Sequence, residues 1–401
     1  MKTPKSLLSR IVLILILIAF ALPATMFAQQ RRKTSTVRRT TTVRRTTTNR
    51  TSSSTRSTAK PQLSGKYGIY KLPYGLTSTW CDDKGLYYVE DNWGGNAVRF
   101  ISMETGELKT VLSSNKGIYE GGHPYIETVF TYNNEIYLFA EGGVLYKCNK
   151  ATGALVKVFD DIKKVRGISP NGRYMMIIKG RDEIPGRQAL IDIQQMKIIL
   201  YWDSYDVMDH NPAIINNEGT YWSMYFDDFY NGGAVKYDKS GKARKYTPSF
   251  DYFKDPGLHE RPKKIVLGND GYIYYGCNRR LYRISSSSPG EWEEYMKIPP
   301  TIDASFSNGK VLLVDSQGNV FLHSNSVMNG YYYFKANDPQ NPVLVPNNTD
   351  ISGGLYPSIS VCSCDYSDNY IFARDNEIYI FNPNGIKWWP NAKNKVCKFK
   401  Q

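Results

Sequence analysis

Three of the four histidines in the chain stand just ahead of a proline, at His123-Pro124, His210-Asn-Pro212 and His259-Glu-Arg-Pro262. Charged groups surround them: Glu120 and Glu127 near the first, Asp206 and Asp209 near the second, Glu260 and Arg261 beside the third. Imidazole titrates near neutrality and ligates divalent metals, so these three meeting a carboxylate would make a metal or acid/base site. A histidine before proline is also an ordinary turn residue that bonds its own loop, and a third reading makes it the rim of a ligand site. All three readings stand at the level of sequence.

A second set of residues is aromatic. Asp91-Asn-Trp93-Gly-Gly and Asp227-Asp228-Phe229-Tyr230-Asn-Gly-Gly put flat rings beside carboxylates and amides, the combination that stacks on a sugar or grips a peptide. Each Gly-Gly comes shortly before Ala-Val, which lets the backbone reverse and throws the preceding ring outward. No phosphate loop, Gly-x-Ser-x-Gly or His-Glu-x-x-His occurs, so the common nucleotide and hydrolase motifs lend no support.

These segments hang on a repeat. From Tyr67 onward, short runs rich in Val, Ile, Tyr and Phe alternate with Gly, Asn and Asp turns. One run recurs seven times: Leu86-Tyr-Tyr-Val-Glu, Ile136-Tyr-Leu-Phe-Ala, Tyr174-Met-Met-Ile-Ile, Tyr221-Trp-Ser-Met-Tyr, Tyr272-Ile-Tyr-Tyr-Gly, Val311-Leu-Leu-Val-Asp and Tyr370-Ile-Phe-Ala-Arg. Each follows a tight-turn pair, such as Lys84-Gly85, Asn171-Gly172 or Asn308-Gly309, which supplies positive φ at little steric cost. The turns recur at a mean interval of about 47 residues, the length of a four-stranded propeller blade. A further run follows each copy, from Ala97-Val-Arg-Phe-Ile to Val320-Phe-Leu-His and Ile378-Tyr-Ile-Phe. The segment Asn134 to Val156, with its strand, Gly-Gly turn, second strand and Thr-Gly turn, resembles the pyrroloquinoline-quinone-type propeller repeat. Ile101-Ser-Met-Glu-Thr-Gly-Glu-Leu repeats its last element. The likeness covers two blades well and the other five in outline, as in a propeller related to the quinone-type, WD40 and NHL repeats; it implies the fold and names no cofactor.

The expected fold class is therefore all-β, a seven-bladed β-propeller of four-stranded antiparallel blades over residues 64–401. Tyr67-Gly-Ile-Tyr-Lys-Leu precedes the first blade's inner strand, so it should close the ring as the outer strand of the last blade. Antiparallel topology puts the short glycine-rich turns on one face and the long, chemically mixed loops on the other. Binding residues concentrate on long loops over a rigid scaffold, and we assign any function to that loop face. The ligand-binding set read there is Trp93, His123, Glu127, His210, Asp228, Phe229, Tyr230, His259 and Arg261, with no catalytic residue, metal or cofactor assigned.

Two stretches precede the repeat. Lys2, Lys5 and Arg10 lead into an apolar run, Ile11 to Leu22, then Pro23 and small residues to Ala28, which is the order of a secretory signal peptide over residues 1–28. That run is too short to span a bilayer, so no transmembrane helix is expected after cleavage and the mature chain should be periplasmic or secreted; the alternative is an uncleaved anchor over Leu7 to Phe27. Residues 29–63 form a tail of Val-Arg-Arg-Thr-Thr-Thr units and Ser/Thr runs, without aromatic side chains, expected to be disordered. Residues 1–28 hold three cations and residues 29–62 ten, with no acid, so of the net +14 the rest of the chain carries about +1. The tail is either a spacer or an attachment to an anionic surface, and the nearly neutral remainder argues against specific nucleic-acid binding.

Six cysteines in an exported chain permit disulfides. Cys148 and Cys277 fall in strands of distant blades and read as lone thiols, whereas Cys81, Cys362, Cys364 and Cys397 fall in the first and last blades, where a closing bridge can form. The leading function is a non-enzymatic binding propeller for a protein, peptide or glycan; the alternative is a polysaccharide lyase or glycosidase using the rim histidines and carboxylates.

Overall fold

β-Branched and aromatic side chains favour a pleated backbone, and the repeated runs are strands throughout. The computed structural model describes residues 66–72, 74–92, 95–113, 124–180, 187–202, 213–226, 232–238, 240, 242–246, 264–277, 279–302, 304–306, 312–323, 331–345, 359–365, 367–374 and 377–384. They form seven four-stranded antiparallel sheets, the blades of a propeller. Among the described residues no helix is long and apolar enough to cross a membrane.

The innermost strands are Gly75–Cys81, Ile126–Tyr132, Ile162–Ile168, Ala213–Ile215, Lys264–Leu267, Leu312–Val314 and Ile359–Cys364. The inner strands of blades one and two, and of each neighbouring pair from blade three to blade seven, lie against one another, and the strand of blade one also meets that of blade seven. Blades two and three join where the Ile162 N–H donates to the Gly143 carbonyl at 3.0 Å. Side chains that alternate across each sheet meet those of the next, so the core is divided into layers between blades. Leu86, Tyr88 and Ile101 pack on Ile371 and Ile380 between blades one and seven. Phe130 and Phe139 pack on Met175 and Ile177 between blades two and three, and Tyr274 and Leu281 on Leu312 and Val320 between blades five and six. Phe321 stacks on Tyr370 at 4.9 Å between blades six and seven. Each fully buried side chain of this size contributes about 1.5–3 kcal/mol.

Ring closure follows the sequence expectation. Lys66–Lys71 is the outermost strand of the last blade, antiparallel to Glu377–Asn382, with Lys66 opposite Asn382 and Lys71 opposite Glu377. The Thr-Gly elements that carry the family resemblance also recur in geometry. Thr105 Oγ1 accepts the Glu107 N–H at 3.3 Å and Thr152 Oγ1 accepts that of Ala154 at 3.2 Å, and the glycines Gly106 and Gly153 both take positive φ, 68° and 70°.

Blade six corrects the sequence reading by one strand. Val311–Asp315 was expected as its second strand and Val320–His323 as its third. Instead Leu312–Val314 is innermost, Val320–His323 is second, and Tyr331–Lys335 and Asp338–Val345 complete the sheet. The tight turn is therefore Asp315–Asn319 rather than Asn308-Gly309. Asp315 Oδ1 accepts the N–H groups of Gln317 and Asn319 at 3.0 and 2.8 Å, and Gly318 sits at φ 78°. A side-chain-capped turn of this kind outcompetes an isolated Asn-Gly pair. With Gly318 as the turn residue, the intervals on either side, from Gly271 and to Asn369, become 47 and 51 residues in place of 38 and 60.

The same cap recurs around the turn face. Asp82 Oδ1 accepts the N–H groups of Lys84 and Gly85 at 2.9 and 3.1 Å, Asn216 Oδ1 those of Glu218 and Thr220 at 3.2 and 2.8 Å, and Asp365 Oδ1 those of Ser367 and Asn369 at 2.8 and 2.9 Å. Neighbouring turns are tied together: Trp80 Nε1 donates to Thr131 Oγ1 at 3.1 Å, and that hydroxyl donates to Asp82 Oδ2 at 3.0 Å. Cys148 is a buried free thiol whose pKa burial pushes up to about 11. Cys81 ends the first strand of blade one against the layer shared with blade seven, Cys362 and Cys364 lie in the first strand of blade seven, and Cys397 lies outside the described residues.

Candidate functional site

Of the ligand-binding set, Trp93, His123, His210, Asp228, Phe229, Tyr230, His259 and Arg261 lie outside the described residues. Glu127 is described, and its surroundings define a site. It is the second residue of the innermost strand of blade two and is exposed. The strand is pinned on the loop face by Asn96, a buried amide of blade one: Asn96 Nδ2 donates to the Ile126 carbonyl at 2.6 Å, and the Ile126 N–H donates to Asn96 Oδ1 at 3.2 Å. Asn96 directly follows Gly95 at the start of its strand, so that strand start clamps blade one to blade two.

Beside Glu127 the chain enters blade two through Pro124 and Tyr125. The Tyr125 carbonyl accepts the Glu141 N–H at 2.7 Å, which brings the short Glu141-Gly-Gly143 loop alongside. Gly143 has φ +79°, and a Cβ there would lie 2.4 Å from the Ile162 carbonyl oxygen, so glycine alone lets blade three approach. The result is an open cleft of about 500 Å³ between blades two and three. Its walls are Pro124, Tyr125, Glu127, Glu141, Gly142, Gly143 and Lys163, over buried Phe139 and Ile162.

The electrostatics of this cleft are acidic on one side. Partial burial raises the Glu127 pKa above the ordinary carboxylate range, and the charge of Glu141 adds to it. Burial likewise raises the Tyr125 phenol, helped by the charge of Asp91, by its hydrogen bond with Asp91, and by Glu127 and Glu141. Among the described residues neither Glu127 nor Glu141 has an ion pair. By contrast Glu90, which is buried, is held by Arg99 Nε at 3.1 Å. The arrangement offers two carboxylates, a phenol, an apolar floor and the Lys163 ammonium across the opening. Sequence reasoning missed Asn96, Tyr125, Glu141 and Lys163. The one available signal was Glu141-Gly-Gly, which reads as a bare turn when the repeat is laid out.

No family model matches this sequence, and no curated protein does. Solved structures match in fold. Over 80% of this chain and 97% of the other, an oligogalacturonate lyase in complex with manganese superposes with a TM-score of 0.54 at 12% identity. YCF48 bound to a D1 peptide gives 0.51 at 10% identity, over 79% of this chain and 96% of that one. The extracellular domain of BT4673 from B. thetaiotaomicron gives 0.53 at 13% identity, over 79% of this chain and 39% of that one. At such identities the likeness shows an all-β propeller.

Proposed function

We propose that the chain is an exported, non-enzymatic binding propeller that recognises a protein or peptide on its loop face. The observation that carries this reading is the open cleft between blades two and three, where a phenol and two carboxylates converge over an apolar floor. Concave sites with a few polar groups on an apolar lining are the usual form of ligand sites. Trp93, Phe229, Tyr230, Asp228, His123, His210, His259 and Arg261 extend the surface around the channel mouth in this proposal. A propeller relative in fold holds a peptide, and others are extracellular domains, which supports the class of function without naming a ligand. The repeat is of the quinone-related type in this reading, residues 1–28 direct export, and residues 29–62 attach the chain to an anionic surface.

Peptide and glycan arrays probed with the full chain and with Tyr125→Ala test the loop-face assignment. Array signals that Tyr125→Ala diminishes are the expected result. Signals that ignore it move the function to another surface. A second reading rests on Glu127: a carboxyl with a raised pKa beside a second carboxylate is the pairing used for glycoside hydrolysis. Release of reducing ends from an array polysaccharide, lost in Glu127→Gln, would favour that enzyme.

A further inference from the structure

We propose that the cleft between blades two and three takes a basic side chain, arginine above all, presented by an extended peptide. The proposal rests on reading the loop face as the binding surface and names what that surface reads. Its first support is an imbalance of charge. In blades one and two, Glu90 is matched by Arg99, Glu107 by Lys109 at 3.2 Å, Glu135 by Lys147 at 3.4 Å and Asp160 by Lys157 at 2.8 Å. Glu127 and Glu141 have no such cation among the described residues, and neither do Asp83, Asp91 and Glu104, but Glu127 and Glu141 line one cleft and lie close enough for the charge of Glu141 to act on Glu127. Two neighbouring carboxylates without a counter-ion repel each other, and a planar guanidinium between them would relieve that repulsion and can hydrogen-bond carboxylates through its fork of N–H groups.

The second support is shape. Buried Phe139 and Ile162 line the same cleft as the carboxylates and Tyr125, so the methylene stem of a long basic side chain would cover apolar surface while its head met the carboxylates. Gly142 and Gly143 present backbone without side chains, which lets a peptide main chain approach closely. Across the opening, Lys163 would meet a peptide carbonyl or a terminal carboxylate. The same two glutamates would repel a glycan rich in carboxylates, so a basic peptide is the better electrostatic match.

The test uses the full chain and three dye-labelled peptides, Ala-Phe-Arg-Ala and its Gln and Glu versions, followed by fluorescence anisotropy. The arginine peptide should bind best and the glutamate peptide worst, with affinity falling as salt rises and as pH drops through the range where Glu127 takes up a proton. Glu127→Gln with Glu141→Gln should weaken the arginine peptide about ten-fold or more. Glu135→Gln, which removes a carboxylate already paired with Lys147, should leave it unchanged. Equal binding of the three peptides, or an unaltered affinity in a folded double variant, would overturn the proposal. If the arginine peptide fails while some array ligand is still lost in Tyr125→Ala, the cation falls and the loop-face reading survives. If every ligand ignores the cleft variants, both fall.

Discussion

At the scale of single residues, the pKa of Glu127 turns into a statement about stability. Its folded value lies above the ordinary 4.5, so the stabilisation of its protonated form is fully present below that value and is lost as pH rises through the folded one. Glu127→Gln should therefore flatten the pH dependence and leave the variant more stable than the parent at neutral pH, measured by urea unfolding on both sides of the transition. Glycines give a sharper contrast. A Cβ on Gly172 would lie 1.8 Å from the Thr131 carbonyl oxygen of the neighbouring blade, whereas one on Gly271, also at positive φ, would meet nothing within 4 Å. Both alanine variants bear the conformational cost of about 1 kcal/mol, but Gly172→Ala should cost several kcal/mol in addition, and comparing their melting temperatures separates the two terms. The site was poorly legible at this scale. Glu127 was read from its nearness to His123, where the chain enters an inner strand, but Glu141 gains meaning only when its amide bonds the Tyr125 carbonyl, a contact that no spacing announces.

At the scale of elements, the sequence was most informative where hydrophobic runs are long. Six of the seven blades have their second and third strands where the runs predicted them, because those strands are five to eight residues rich in β-branched and aromatic side chains between turns. Blade six departs because its true turn depends on the Asp315 carboxylate rather than on Asn-Gly, which shifts each run by one strand. The closing strand was legible by elimination, since Lys66–Lys71 had no place in blade one. A chain starting at Tyr74 would leave Glu377–Asn382 as an unpaired sheet edge. It should unfold at least several kcal/mol more readily than the parent, and a thermal melt identical to the parent's would refute this. Thr131→Val should loosen the tie between blades one and two, since it strands the Trp80 indole N–H and one Asp82 oxygen. A loss of about 1–3 kcal/mol is expected in chemical denaturation.

At the scale of the whole molecule, charge separates the chain into a strongly basic N-terminal stretch and a nearly neutral remainder. Binding of the full chain to vesicles of anionic lipid should decline steeply with salt and vanish when residues 29–62 are deleted; binding retained by the deleted chain would place the attachment elsewhere. The pairing of Lys66–Lys71 with Glu377–Asn382 has a further consequence, in time rather than in stability. Its two partners are separated by about 300 residues, so the first strand to leave the ribosome waits through the synthesis of six blades for its mate. At roughly 5–20 residues per second that wait is about 15–60 seconds. A chain cut short by a late stop codon would never acquire that mate, so the native ring is made only after the seventh blade has emerged.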